Sequence, residues 1–381
     1  MRFLHSADWH LGRSFLGLSL IDDQAHVLEQ LTRVAVESKV DAVLLAGDIY
    51  DRSAPSSDAV SLLDETLTRL VLEHGIAVIV IAGNHDSGER LAFGSRLLSG
   101  RGLHVAGLAP CVVTLDDEHG PVDIVAIPFC EPSAAAGRSG DDAIADHDAA
   151  LRAEISWASR LPFRGNGGAG RRKVALAHAF VAGGHASESE RPLVLGNAAL
   201  VRSDCFDSFA YAALGHLHRP QPVGRRECRY SGSLLKYSFD EAAHRKTISL
   251  VTIGAAGACD VEEVSLSARR DVRVLEGTLD EIRRAAATDS SRDDYVMVRL
   301  SDRGAVLDSI GKLRAIYPNC LRVDHAAFFR TEPGARQAVD LRRQDEEEMF
   351  EAFFLEVTGE RASEQEQRAF CDALAAVRRS S

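Results

Sequence analysis

Through the first half of the chain, short uninterrupted apolar runs alternate with stretches of helical period. Residues 3–6 predict a buried strand, as do Ala42-Val43-Leu44-Leu45-Ala46 and Ala77-Val78-Ile79-Val80-Ile81-Ala82. Between them, residues 22–38 put Val27, Leu28, Leu31, Val34 and Ala35 on one helical face. Residues 58–73 do the same with Leu62, Leu63, Leu67, Leu70 and Val71. Further strands are predicted at 122–127, 173–177 and 211–214. Strands that are apolar at every position are buried on both faces, so the pattern predicts an α/β fold with helices covering its sheet.

The pattern loosens at residues 131–171, where Ala, Gly, Asp and Arg dominate and a helix is expected between 141 and 160. Gly165-Asn166-Gly167-Gly168-Ala169-Gly170 matches GxGxxG in form but precedes a strand, and Arg171-Arg172 stands where a P-loop needs Lys then Ser or Thr. It reads as a loop, and the chain carries no ATPase motif. From residue 271 the order strand (271–275), helix (278–287), strand (295–300), helix (306–316), strand (320–324) predicts a small separate α+β domain. Beyond Pro333-Gly334, Phe350, Phe353 and Phe354, then Phe370, Leu374 and Val377, recur at helical spacing. Helices this short are marginal alone in water, so the tail is expected to dock on something.

Composition changes little in that picture. Of 381 residues, 45% are hydrophobic and 26% charged, as in soluble globular proteins, and no apolar run is long enough to span a bilayer. Seven cysteines are scattered with no CxxC pair, which fits reduced cytosolic thiols, and no signal-peptide pattern follows Met1. The location expected from this is cytoplasmic. A net charge of −12 argues against coating nucleic acid. Residues 340–381, with eleven acidic and six basic side chains, carry −5 of it, so a local basic surface remains compatible with the total.

The chemistry lies at strand ends. Asp8-Trp9-His10 follows the first strand, Gly47-Asp48-Ile49-Tyr50-Asp51 the second and Gly83-Asn84-His85-Asp86 the third. His178 ends the strand at 173–177, and Gly215-His216-Leu217-His218 ends that at 211–214. Each alone has an ordinary explanation: Asp48 as a cap, Asn84 as a turn residue, His178 as a core histidine, which is how His5 inside the first strand reads. Taken together, Asp8, His10, Asp48, Asn84, His178, His216 and His218 at the carboxyl ends of successive strands suit two divalent cations, with Asp48 as a bridging carboxylate. Two such ions about 3.5–4 Å apart stabilise the attacking and leaving oxygens of a displacement at phosphorus.

The order D-x-H, GDxxD, GNHD, H, GHxH resembles that of the calcineurin-like metallophosphoesterases. The surrounding text looks like one branch of them, the SbcD nucleases. Asp8-Trp9-His10-Leu11-Gly12-Arg13, Gly47-Asp48-Ile49-Tyr50-Asp51-Arg52 and Ala82-Gly83-Asn84-His85-Asp86-Ser87 carry the likeness. So do His178-Ala179-Phe180-Val181-Ala182-Gly183-Gly184, Ser189-Glu190-Arg191, Leu214-Gly215-His216-Leu217-His218-Arg219-Pro220-Gln221, Tyr230-Ser231-Gly232-Ser233 and Leu235-Lys236-Tyr237-Ser238-Phe239. The resemblance covers about residues 1–245 in detail and the rest in layout.

It implies a two-sheet α/β/β/α metallophosphoesterase sandwich at 1–265, a small α+β capping domain at 270–330 that binds DNA, and a helical tail at 340–381 that binds a partner ATPase. It implies one Mn²⁺ on Asp8, His10, Asp48 and His218, a second on Asp48, Asn84, His178 and His216, and His85 as the catalytic histidine. Asp51 or Asp86 would orient an imidazole. Arg13, Arg52, Arg90, Arg191 and Arg219 flank the motifs as candidate phosphate contacts, with surface salt-bridging the competing role for each.

The activity implied is 3′–5′ exonuclease action on duplex DNA and endonuclease action on single strands and hairpins, in DNA repair, recombination and replication. The implied assembly is a homodimer joined to the coiled-coil ATPase SbcC in a heterotetramer at the nucleoid, with no membrane attachment. The rival expectations are a small-substrate phosphodiesterase or protein phosphatase on the same scaffold, and a scaffold protein with a dead site.

Overall fold

Twelve strands build the two main sheets of the first unit: β1 (Arg2–Ser6), β2 (Ala42–Leu45), β3 (Ala77–Ile81), β4 (Leu103–Ala106), β5 (Cys111–Asp117), β6 (Gly120–Ile127), β7 (Arg172–His178), β8 (Tyr211–Gly215), β9 (Gln221–Val223), β10 (Arg225–Tyr230), β11 (Thr247–Ile253) and β12 (Cys259–Ser265). Each sheet has six strands, in the orders β12-β11-β1-β2-β3-β4 and β9-β10-β8-β7-β6-β5. In the first, β1 to β4 run parallel and β11 and β12 join antiparallel. In the second, β10, β8, β7 and β6 run parallel, and β9 and β5 close the edges antiparallel. Here the computed structural model describes residues 1–161, 172–190, 199–302, 306–325, 350, 351, 353–355, 358 and 361–380. The glycine-rich stretch at 165–170, Arg191, residues 340–349 and the Val377 side chain lie outside the described residues.

The pleat explains the packing. Ala42, Leu44, Ala46, Ile79 and Ile81 from one sheet share a buried cluster with Val122, Ile124, Ala126, Val174, Leu176 and Ala213 from the other, so the two inner faces make one core. The alternate residues of the second sheet, Val125, Ile127, Ala175, Ala177, Ala212 and Leu214, pack with Leu151, Ile155 and Ala158 of the helix over it. Leu4, Val43, Leu45, Val78 and Val80 of the first sheet are equally buried on its other face. The result is the α/β/β/α sandwich that the resemblance implies; where the alternating pattern implied helices over a sheet, the inner face of each sheet is covered by the other sheet instead.

The helices differ in detail from expectation. Helix α1 (Ile21–Glu37) runs as the periodicity predicts, but α2 (Ser57–Thr68) passes into a π-helical turn at Arg69–Glu73. The helix expected between 141 and 160 is α4 (His147–Ala158), and a further helix, α3 (Pro132–Ser139), precedes it. Gly140 ends α3 in the left-handed conformation, and Asp146 starts α4 by accepting the Ala149 N–H at 2.8 Å.

Chain contacts divide the molecule into Met1–Asp271 and Val272–Ser381. The second unit holds a three-stranded parallel sheet of β13 (Val272–Gly277), β14 (Tyr295–Leu300) and β15 (Cys320–His325) with α5 (Leu279–Ala286) and α6 (Ser309–Arg314). Helix α6 is shorter than the 306–316 expected, beginning where the Asp308 carboxylate accepts the Gly311 N–H at 3.2 Å. Ile282, Val296, Val298, Leu300, Leu313 and Tyr317 form the core of this unit. Further on, α7 (Glu364–Ser380) stacks Phe370 on Phe350 with ring centroids 4.2 Å apart, while Phe353 stays 63% exposed. No helix among the described residues is long and apolar enough to cross a membrane.

Candidate metal centre

Five strand ends converge. After β1 and β2 the backbone enters turns that L-residues rarely adopt: Asp8, His10 and Asp48 have φ of 52°, 46° and 50°, and His216 after β8 has 109°. Left-handed backbone at non-glycine residues costs about 1–3 kcal/mol each and persists where the surrounding structure imposes it. Here Tyr237 donates its hydroxyl proton to the Trp9 carbonyl at 2.6 Å, and Gln24 donates to the carbonyls of Trp9 (3.1 Å) and His10 (2.8 Å). Gly47 and Gly215 are small for a reason: a Cβ at Gly47 would stand 2.5 Å from His178 Nδ1, and one at Gly215 would overlap the Ala46 carbonyl oxygen.

The side chains presented by these turns are almost wholly buried, with Asp8, His10, Asp48, His178, His216 and His218 each 4% exposed or less. Asp48 Oδ2 is the hub, 3.7 Å from His10 Nε2, 3.6 Å from His178 Nε2 and 4.0 Å from His85 Nε2. Ligand atoms of Asp8, His10 and His218 lie within 4.8 Å of one another, as do those of Asp8, Asp48 and His178. Asn84 Oδ1 is 2.8 Å from His178 Nε2 and 3.2 Å from His216 Nδ1. The structure thus gathers all seven ligand candidates, drawing Asp8, His10, Asp48 and Asn84 from one sheet and His178, His216 and His218 from the other.

The donor chemistry fits cations. His178 donates Nδ1–H to the Ala46 carbonyl at 2.8 Å, so its Nε2 lone pair faces the Asn84 oxygen: two acceptors turned toward each other. The Nε2 atoms of His10 and His218 also face each other, at 3.0 Å. Burial, and next the Asp48 carboxylate, push Asp8 well above the usual carboxylate range. Burial likewise holds the imidazoles of His10, His178 and His216 below their ordinary value and brings His218 to about 4. Neutral imidazoles are the state that binds a divalent ion, whose charge would offset the crowding of the Asp8 and Asp48 carboxylates.

Around this ring the other candidates divide. His85, with 14% of its side chain exposed, stands at the rim, its Nδ1 donating to the Asp51 carbonyl at 2.9 Å and its backbone N–H to Asp48 Oδ1 at 2.9 Å. Asp86 touches no imidazole; its carboxylate accepts the N–H groups of Ile49, Tyr50 and Gly83 at 2.9–3.1 Å and so ties the second turn to the third. Burial and then Asp48 push it up to about 7.

Arg13 is engaged, donating to the Ser189 carbonyl at 3.0 Å and lying 4.8 Å over the Tyr237 ring, and Arg90 donates to the Ser53 carbonyl at 3.0 Å. Arg52 is 81% exposed, 3.7 Å from Asp51, and Arg219 is exposed. Sequence reasoning assigned no role to Gln24, Ser189, Glu190, Tyr237, Glu241 or Lys246. Glu241 and Lys246 are a buried ion pair at the base of His218. Burial would raise Glu241, but the neighbouring His218 imidazole and the charge of Lys246 outweigh it and hold that carboxyl well below the usual range. Ser189, Glu190, Glu241 and Lys246 lie in polar segments with no periodicity, where nothing local signals burial.

A family model described as calcineurin-like phosphoesterase matches residues 1–220, and one described as type 5 capsule protein repressor C-terminal domain matches residues 268–358. The chain is 32% identical over 365 residues to the SbcD component of the nuclease SbcCD of Staphylococcus saprophyticus, covering 94% of each chain. It is 31% identical over 366 residues to that of Staphylococcus epidermidis, covering 96% of this chain and 95% of the other. Among solved structures, a dimetal phosphatase from Danio rerio aligns at 12% identity with a TM-score of 0.37, over 70% of this chain and 99% of that one, too distant to bear on the chemistry.

Proposed function

Because this chain belongs to the calcineurin-like phosphoesterases and, within them, to the family of the SbcD component of the nuclease SbcCD, we propose that it is the DNA-cleaving component of an SbcCD complex. The observation that carries this is the convergence of buried Asp8, His10, Asp48, Asn84, His178, His216 and His218 from two sheets, with His85 partly exposed beside them.

Two Mn²⁺ ions fit this set, one on Asp8, His10, Asp48 and His218 and the other on Asp48, Asn84, His178 and His216. When bound they would supply Lewis acidity and positive charge at the scissile phosphate. The protein supplies the rest. His85 commits Nδ1–H to the Asp51 carbonyl, which leaves Nε2 toward the cluster as the atom that holds a proton for the leaving oxygen. Asp86 keeps the turns bearing Asp48 and His85 in register. Arg52 and Arg219 are exposed enough to meet phosphates flanking the cut.

The substrates are duplex ends, degraded 3′–5′, and single-stranded or hairpin DNA, in repair, recombination and replication on the cytoplasmic nucleoid. The protein acts as a homodimer within a heterotetramer with SbcC, which supplies ATP hydrolysis. The capping domain at 270–330 grips DNA, and the tail at 340–381, where Phe353 is exposed, docks on SbcC.

The test offers the purified protein labelled duplex, hairpin DNA, bis-p-nitrophenyl phosphate and a phosphopeptide, with Mn²⁺ or with chelator. Manganese-dependent cleavage of both DNAs and of the diester is expected. Hydrolysis of the phosphopeptide alone, or no metal-dependent cleavage of DNA, would overturn the assignment.

A further inference from the structure

His218 is held differently from the other imidazoles of the centre. Its backbone N–H donates to Glu190 Oε1 at 2.7 Å. Its carbonyl accepts from Lys246 Nζ at 2.8 Å and from the Ser233 N–H at 3.1 Å. Its Nδ1 is 2.5 Å from Ser189 Oγ. The Ser189 hydroxyl in turn donates its proton to Glu241 Oε1, which also accepts from Ser238 Oγ at 3.1 Å. A hydroxyl that gives its proton to a carboxylate can only accept from the ring, so Nδ1 must carry the hydrogen.

Lys246 closes the chain. It donates to Glu241 Oε2, to Ser233 Oγ at 2.9 Å and to the His218 carbonyl, so all three of its N–H groups are used. Every polar atom of His218 except Nε2 is therefore occupied, and Nε2 faces His10 Nε2. By contrast, His10 Nδ1 is buried with no hydrogen-bond partner. Glu241 is fully buried and Lys246 only 6% exposed. A buried ion pair of this kind adds little net stability, since desolvation offsets the attraction, and its placement against one ligand calls for another role.

We propose that Ser189 and Glu241 are positioning residues for His218, with Lys246 as the counter-charge of Glu241, fixing the Nδ1–H tautomer and leaving Nε2 as the only ligand atom. This rests on His218 being a metal ligand, which titration of the wild-type protein with Mn²⁺ tests by itself. If the wild type takes up no Mn²⁺, the metal-centre reading fails and the positioning role goes with it.

Given wild-type binding, Ser189→Ala should weaken one Mn²⁺ ion by about 10–100-fold, leave the other unchanged and leave the Tm of the chelated protein unchanged. Ser189→Thr, which restores the hydroxyl, should recover the affinity. Long-range ¹H–¹⁵N spectra of chelated, histidine-labelled protein should show His218 as the Nδ1–H tautomer in the wild type and a mixture in Ser189→Ala. Glu241→Gln strands Lys246 and risks misfolding, so Glu241→Gln is paired with Lys246→Met, which should reproduce the single-ion loss. The proposal is overturned if Ser189→Ala keeps both affinities and the tautomer, or if it loses both ions together with a lower Tm.

Discussion

Asp48 and His85 approach to 4.0 Å, yet their surroundings prepare them for different work. Asp48 is 2% exposed and its Oδ2 stands between the imidazoles of His10 and His178, so its loss removes a negative charge shared by the whole cluster. His85 reaches the rim and spends Nδ1 on a backbone carbonyl. His85→Ala should therefore leave Mn²⁺ binding intact by calorimetry while slowing DNA cleavage by about 10²–10⁴-fold, the usual worth of a general acid. Asp48→Asn should lose both metal and cleavage; equal metal loss in the two variants would remove the distinction.

His5, one strand inward, teaches a different lesson. It is fully buried between the Tyr211 hydroxyl (2.9 Å) and the Leu214 carbonyl (3.1 Å), and burial, then the charge of Arg229, lowers it from 6.5 to about 3. The folded protein thus refuses a proton that the unfolded chain accepts below pH 6.5. Its contribution to stability is complete above 6.5 and is lost as pH falls from there toward 3. At pH 5 the loss is about 2 kcal/mol, from about 1.4 kcal/mol per pH unit. His5→Gln should flatten the fall in urea-unfolding free energy between pH 7 and pH 5 by about that amount.

Among elements, the ends of β2 and β8 meet so closely that the last residue of β8 must be glycine. A methyl group at Gly215 would press on the Ala46 carbonyl oxygen and lie 2.9 Å from His178 Nδ1, so Gly215→Ala must move one sheet off the other. Overpacking of this kind costs about 1–3 kcal/mol. A lower Tm in thermal denaturation and weaker Mn²⁺ binding are expected together, because the displaced turn carries His216 and His218.

The central strands were legible in the sequence because burial on both faces leaves Val43, Leu44, Val78, Ile79, Ala175 and Leu176 no polar neighbours within their runs. The ligand turns after β2, β3 and β8 were legible because each directly follows such a run. The Cys259–Ser265 strand was not, since its residues Asp260, Glu262, Glu263 and Ser265 are polar and what makes it a strand is β11 beside it. Asp86 shows a similar limit: its residue type was visible, but its three backbone partners belong to two different turns. The Glu241–Lys246 pair was hidden more deeply, because two charges five residues apart on a polar stretch read as solvated.

For the molecule as a whole, the centre exists only when both sheets are packed, since each sheet alone presents an incomplete ligand set. Divalent ions should therefore bind the folded state and scarcely the unfolded one. At a metal concentration 100-fold above Kd the gain is about 2.7 kcal/mol. That corresponds to a rise in Tm of roughly 5–10 °C at about 2–4 °C per kcal/mol. Scanning calorimetry with Mn²⁺ against chelator should show it, and Asp48→Asn should abolish the difference.

The same topology sets a timetable for biosynthesis. Strand β1 leaves the ribosome before the other strands of its sheet, but it lies between β2 and β11, with Leu4 opposite Leu250. At about 5–20 residues per second, β1 waits roughly 10–50 s for its second neighbour to be translated. Until then it offers a free row of N–H and C=O groups to any passing strand, the condition under which nascent chains pair with the wrong partner. A message broken before the Thr247 codon would release a polypeptide that already carries all seven ligand candidates yet leaves β1 open on one side.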